Sequence, residues 1–371
     1  MSQRMAKGGE MTSLRKWLSL PDAEPAEDYG FFGPDSATWK VWSYPTSLSI
    51  GFQRAVVIEE LDPALVASVD HTQAIYDRPR TRYDRTLRYF AMVAFGESRT
   101  TAEAADMLVR IHSKAIGVDP VTGAHYDAND PASQMWIHLT AWHSILYAYE
   151  KYGPGRLSAD EEASYWADCA KAAELQTLDP ADVPRTREGI AAYFEQMRPQ
   201  LINSDIARRA MAHLLHAEVI LPESLPKLLW PGALVVTAFL RRGTLATMPR
   251  WMRKLGGLKA TGTSRVLDAL IVPPLSAAFT LLSLSPRVQL ILLRLISPMT
   301  LPIGTRVLRS IRPLNPVTTT PREAQQRYGY AVPAQAHLEF RAKQSHRVFG
   351  EGLAPSDEGL IESQPILGSI R

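Results

Sequence analysis

The sequence predicts an all-α fold: a single large multi-helix bundle whose C-terminal third is helical, apolar and basic. Three observations predict it. Almost every long apolar segment repeats at helical spacing, strand-like alternation is scarce, and the segments are punctuated by proline at their starts and glycine at their ends. At 371 residues, 46% of them hydrophobic, the chain has ample material for a core.

The elements follow in order. One helix is expected over Ser47 to Glu60 and another after Pro63, where Leu65, Val66 and Val69 lead to His71. "PRTRYDRTLRYFAMVAFG" opens at Pro79 and closes at Gly96, as helix termini prefer. In the next helix, Thr100 and Glu103 have capping-box spacing and Gly117 suits a left-handed end. "DPASQMWIHLTAWHSILYAYEKYG" then offers Asp130 as cap and Pro131 in the first turn. From Ala132 to Tyr149 it carries no charged residue, which marks a helix buried on most sides. Further helices start at Ser158, where Glu161 completes a capping box, at Thr186 and at Asp205.

Residues 1–30 read as a flexible leader, 31–330 as the all-α domain, and 331–371 as an extension ending in a mobile tail. Charge divides the domain. Residues 224–322 hold 14 Lys and Arg against the single acid Asp268, so this stretch is near +13 and the remainder near −10, within a whole-chain charge of +3. The basic part, 221–322, is rich in aliphatic residues and poor in aromatics placed for base stacking. It therefore suits an anionic membrane surface rather than nucleic acid. Within it, "ALIVPPLSAAFTLLSLSP" is interrupted by Pro273 and Pro274, so a buried or surface-lying helical hairpin is expected in place of a membrane span. The lone Cys169 excludes an internal disulfide framework. With no secretory signal pattern, the expected location is cytoplasmic, with peripheral membrane contact.

Phosphate-binding glycine loops, the dinucleotide fingerprint, HExxH, GxSxG and CxxC are all missing. What remains is a set of histidines on apolar helices. One neutral imidazole can ligate haem iron while apolar side chains enclose the porphyrin. His112 lies at the border of the stripe formed by Ala104, Leu108, Ile111 and Ala115, opposite the solvated Arg110 and Lys114. It fits either an iron ligand or a core-edge histidine bonded to a carbonyl. His138 and His143 fall on different faces of their helix and cannot share a metal, and the Glu and Glu-x-x-His set of a di-iron bundle is missing. Arg82, Thr86, Tyr89 and Val93 share one helix face. Arg82 or Arg85 can fork onto a haem propionate, and the Thr86 hydroxyl can bond a ligand.

The order "FGPDSATWKV", "RYDRTLRYFAMVAFG", "RIHSKAIG", "DPASQMWIHLT" and "PRT" resembles the family of haem b oxygenases that includes the fungal MpaB enzyme and the bacterial latex-clearing rubber oxygenases. The resemblance implies an all-α fold around one haem b, an axial histidine, and an Arg-x-x-x-Thr pair. These fall on His112 as metal ligand, with His138 as the competing ligand, and on Arg82 and Thr86 as the catalytic pair. The expected function is oxygenation of an apolar substrate, lipid-like or isoprenoid, by dioxygen. Glu59 and Glu60 join Arg82 and Thr86 as groups able to position oxygen or move a proton. Two departures stand out: Asp62, in "LDP", where many relatives carry His-Pro, and His143, where they carry an acid. A haem-binding carrier or sensor without turnover, and a cofactor-free membrane-associated scaffold, are the rival readings.

Overall fold

The computed structural model describes residue 20, residues 22–258 and residues 261–356. Helices dominate it, and the strands among the described residues are two of three residues each. Helix α1 (Ala37–Trp42) is capped by Ser36, whose hydroxyl accepts from Trp39 N at 3.1 Å. The expected helix from Ser47 appears as a π-helical turn, Ser47–Gly51, running into α2 (Phe52–Glu59). Gly51 is required there, because a Cβ would lie 3.0 Å from the Ile145 Cα of a crossing helix. Helix α3 (Pro63–Thr72) starts on Asp62, whose Oδ1 accepts from Leu65 N at 2.8 Å. The short α4 (Ala74–Asp77) leads to α5 (Pro79–Phe95) and α6 (Ser98–His112).

Two local expectations for α6 are corrected. Thr100 is inside the helix and its hydroxyl donates to Glu97 Oε1 at 2.6 Å, so no Thr100–Glu103 box forms. The free N–H groups are met from a distance instead. Asp28 Oδ1 accepts from Ser98 N at 2.8 Å and its Oδ2 accepts from the Ser98 hydroxyl. At the far end the helix stops at His112, and Gly117 lies in β1 (Ile116–Val118), paired with Tyr126 of β2 (His125–Asp127). Gly117 is needed for space: a Cβ would meet the Tyr126 hydroxyl at 2.8 Å.

The uncharged helix α7 (Pro131–Tyr152) runs through the centre, capped by Asp130, whose Oδ1 accepts from Ala132 N at 2.9 Å. Trp142, 1% exposed, packs edge-on to Trp42 at 5.1 Å and against Tyr165. Tyr165 sits on α8 (Ala159–Ala172), which carries the expected Ser158–Glu161 capping box. Helices α9 (Arg187–Met197) and α10 (Asp205–Leu214) start on Thr186 and Ser204. Of the residues assigned to the leader, Ala26 and Asp28 are buried, and Ala26 O accepts from Leu314 N.

The basic part comprises α11 (Trp230–Thr247), α12 (Arg250–Leu255), α13 (Gly262–Ser283), α14 (Pro286–Ile296) and α15 (Leu301–Leu308). Asp268, its one acid, pairs with both Arg242 and Arg253. Helix α13 continues through Pro273 and Pro274, which lie on its exposed side where water can satisfy the freed carbonyls. Its inner face, through Leu275 and Phe279, packs on Ile50, Ala148 and Tyr152. Its outer face presents Val266, Leu267, Leu270 and Leu281. The row continues through Leu284 to Val288 and Leu292 of α14. Helices α16 (Pro321–Tyr328) and α17 (Pro333–Ser345) close the described chain, and most of the expected mobile tail lies outside the described residues.

Candidate functional site

Four helices converge on the residues singled out by sequence. Helix α2 brings Glu59 at its last position and Glu60 just beyond it. Helix α5 brings Arg82, α6 ends on His112, and α7 meets His112 through Gln134 and Glu59 through Thr140. Gln134 Nε2 donates to His112 Nδ1 at 3.3 Å and to Ala128 O at 2.6 Å. Thr140 Oγ1 donates to Glu59 Oε1 at 3.2 Å, and Trp136 Nε1 donates to Glu59 O at 3.1 Å.

The electrostatics are those of a poorly solvated site. Burial, with Arg82 adding to it, pushes the His112 imidazole down to about 4. A helix C-terminus alone would favour imidazolium by about 1 kcal/mol, so burial wins here and the ring is neutral at pH 7. With Nδ1 accepting from Gln134, the neutral ring carries its proton on Nε2. Ligation through Nε2 requires that proton to leave, or the amide to turn so that its oxygen accepts from Nδ1–H. Burial raises Glu59 to about 7, against the Thr140 hydrogen bond and the Arg82 charge. Glu60 rises to about 8 through burial and repulsion from Glu59, with Arg82 again opposing, and its Oε2 has no hydrogen-bond partner. Arg82 is exposed along part of its length, and desolvation by the surrounding protein lowers its pKa against the opposing charges of Glu60 and Glu59. Its guanidinium makes no hydrogen bond or ion pair among the described residues.

The remaining sequence candidates are placed differently. His138, 1% exposed, faces the aromatic core, where its Nε2–H donates to Cys169 O at 2.8 Å. The structure does not bring it to His112. Thr86 Oγ1 donates back to Arg82 O at 2.9 Å, and Arg85 lies near Arg78. Asp62, the departure at "LDP", is a helix cap. His143, the other departure, receives a hydrogen bond from Arg54 Nη1 at 3.3 Å. Arg54, 2% exposed, also donates to Ser144 Oγ at 2.6 Å and has no carboxylate partner among the described residues. Arg54 and Gln134 were not among the sequence candidates. The signal for Arg54 was a lone charge in the apolar run "GFQRAVVI".

A predominantly helical fold that sets one neutral imidazole near an arginine and two buried carboxyls defines a class of helical proteins with a single-histidine polar site. The chain belongs to the family described as ER-bound oxygenase mpaB/B'/rubber oxygenase, catalytic domain, whose profile matches residues 39–280. That match includes every site residue above. No curated protein and no solved structure matches the chain.

Proposed function

We propose that the chain is a haem-dependent oxygenase that acts with dioxygen on an apolar, lipid-like or isoprenoid substrate. The observation that carries this reading is His112: neutral, partly accessible, and set near Arg82 and the two buried carboxyls Glu59 and Glu60, with no ion pair to Arg82 among the described residues. The donor set fits haem. Among the described residues no three His, Cys, Asp or Glu side chains converge, and a single imidazole suits a metal already held by a macrocycle. His112 would hold the haem iron through its imidazole, and Arg82, with Arg85 nearby on the same helix, would bind the haem propionates. Haem, when bound, supplies the iron that activates dioxygen.

The chain's own residues supply proton control. Glu59 and Glu60 form a coupled pair that takes up or gives a proton close to neutral pH, the range in which general acid–base groups work best. The Thr140 hydroxyl fixes one oxygen of Glu59, and Arg82 stabilises whichever carboxylate ionises. Ile137, half-buried on α7 between Gln134 and Thr140, would provide apolar wall. The family supports oxygenase activity. An apolar substrate is supported by the outer face of α13 and α14, which is suited to a membrane surface. Helix α13 has a mean hydropathy of 1.7 and is mostly exposed, and the exposed Arg265 and Arg287 adjoin Val266 and Val288 of that face. We therefore place the protein in the cytoplasm, peripheral to an anionic membrane.

The test is optical. The purified protein, or protein offered excess haem, should show a Soret band that is shifted or lost in His112→Ala and kept in His138→Ala. A preparation that stays colourless under excess haem refutes the reading. An oxygen-uptake screen with apolar substrates then separates an oxygenase from a carrier.

A further inference from the structure

We propose that a cavity of about 230 Å³ between the start of α5, the 220–225 loop and α14 is a binding site for the phosphate of an anionic membrane lipid. It is lined by Arg80, Arg294, Ser224, Pro222, Ile291 and Leu295. This rests on the membrane-surface reading above and adds to it a specific headgroup site.

The lining has the composition that a phosphate monoester at an apolar boundary needs: two guanidiniums, one hydroxyl, two aliphatic side chains and, among the described residues, no carboxylate. Arg80 is held in place from both sides. Its Nε donates to Ile220 O at 3.0 Å and its Nη2 donates to Leu295 O at 3.4 Å, so the side chain bridges the loop and α14. Nη1 is left for a ligand. The nearest acid on α5, Asp84, is occupied elsewhere. It accepts from Ser297 Oγ at 2.5 Å and Met299 N at 3.2 Å, and does not line the cavity. Glu223, between two lining residues, is exposed and does not line it either.

Position identifies the source of the phosphate. Ile291 and Leu295 line the cavity on the helix whose Val288 and Leu292 are 45% and 40% exposed. Leu228, 89% exposed, follows a few residues after Ser224. A lipid whose chains lie against this apolar face has its headgroup beside the arginines. A soluble phosphate ester would have no use for the aliphatic rim. The long excess of basic over acidic residues along 224–322 adds attraction to an anionic bilayer.

The experiment is co-sedimentation of the full chain with phosphatidylcholine vesicles containing phosphatidic acid or phosphatidylglycerol, adjusted to equal surface potential. Wild type should bind the phosphatidic acid vesicles more tightly, because the exposed monoester brings more charge to the two guanidiniums and can accept from Arg80 Nη1. Arg294→Gln should remove about fivefold of that preference, the loss expected for one cation at a membrane surface. Ser224→Asp, at an exposed position that tolerates change without unfolding, should abolish the preference, whereas Arg287→Gln on the outer face should weaken binding to both vesicles equally. Retention of the preference in Ser224→Asp, or its equal loss in Arg287→Gln, overturns the cavity assignment. So does inorganic phosphate that competes at concentrations where ionic strength alone has no effect, since the site would then be one for soluble phosphate. Failure to bind any vesicle removes the membrane-surface reading itself.

Discussion

Replacing Glu60 by Gln tests the electrostatics of the site without any cofactor. Glu60 is 4% exposed, and burial together with the neighbouring Glu59 raises it from 4.5 to about 8. Between those two values the folded chain holds a proton that the unfolded chain has released. Wild-type stability on this account is full below pH 4.5 and falls as pH rises through 8, by about 1.4 kcal/mol per pH unit. Over the whole interval the ceiling is roughly 5 kcal/mol. Glu59 takes over part of the proton affinity when its neighbour is neutralised, so a difference of about 2–3 kcal/mol is expected. Gln does not titrate. In urea unfolding of the haem-free protein at pH 5, 6, 7 and 8, the variant should therefore gain on wild type at each step, the steps together reaching about that total by pH 8. The gain should hold even if the amide, lacking a partner for the position of Oε2, costs a constant 1–3 kcal/mol. Subtracting the two curves cancels every other titrating group. Parallel curves, with a difference that does not grow with pH, would refute the assignment of a raised carboxyl to this position.

Further outcomes are expected at other positions. His138→Ala, which leaves a hole in the aromatic core and strands Cys169 O, should lower unfolding free energy by about 2–4 kcal/mol in denaturant titrations. Arg82→Met removes the cation that holds Glu59 and Glu60 down, so both should titrate at higher pH. The acidic limb of a pH–rate profile should then move upward, and an unmoved limb would separate Arg82 from the carboxyls. Gly30→Ala forces a Cβ to 2.0 Å from Gly96 O at a φ of +68°. It should cost more than about 3 kcal/mol, read as a drop in thermal midpoint, unless the chain detaches locally at no cost.

Helix existence was legible wherever local chemistry decides it. Pro79, Pro131, Asp130, Ser158 with Glu161, Thr186 and the charge-free run from Ala132 each mark an element that the chain forms, because caps and periodicity act within one or two turns. Where a distant residue takes over, local reading failed. Ser98 is met by Asp28 and not by a box of its own, and Gly117 answers to the ring of Tyr126 across a hairpin. The site divides the same way. The border position of His112 and the shared face of Arg82 and Thr86 follow from helix geometry. The bonds from His138 to Cys169 O and from Arg54 to Ser144 Oγ depend on partners 31 and 90 positions away. Asp62 shows a third case, in which a departure from the family pattern serves the backbone by starting α3.

The grip of Asp28 on Ser98 ties the two ends of one lever. Ser98 begins the rod whose final residue is His112, so the angle at which that imidazole is offered depends on a carboxylate lying ahead of the first helix. Trimming the chain back to Gly30 would take Tyr29 off the edge of Trp39, leave the fully buried aromatics in place, and unseat this anchor. A shortened protein that folds but binds pigment weakly would then report a loosened hinge, with its ligand intact.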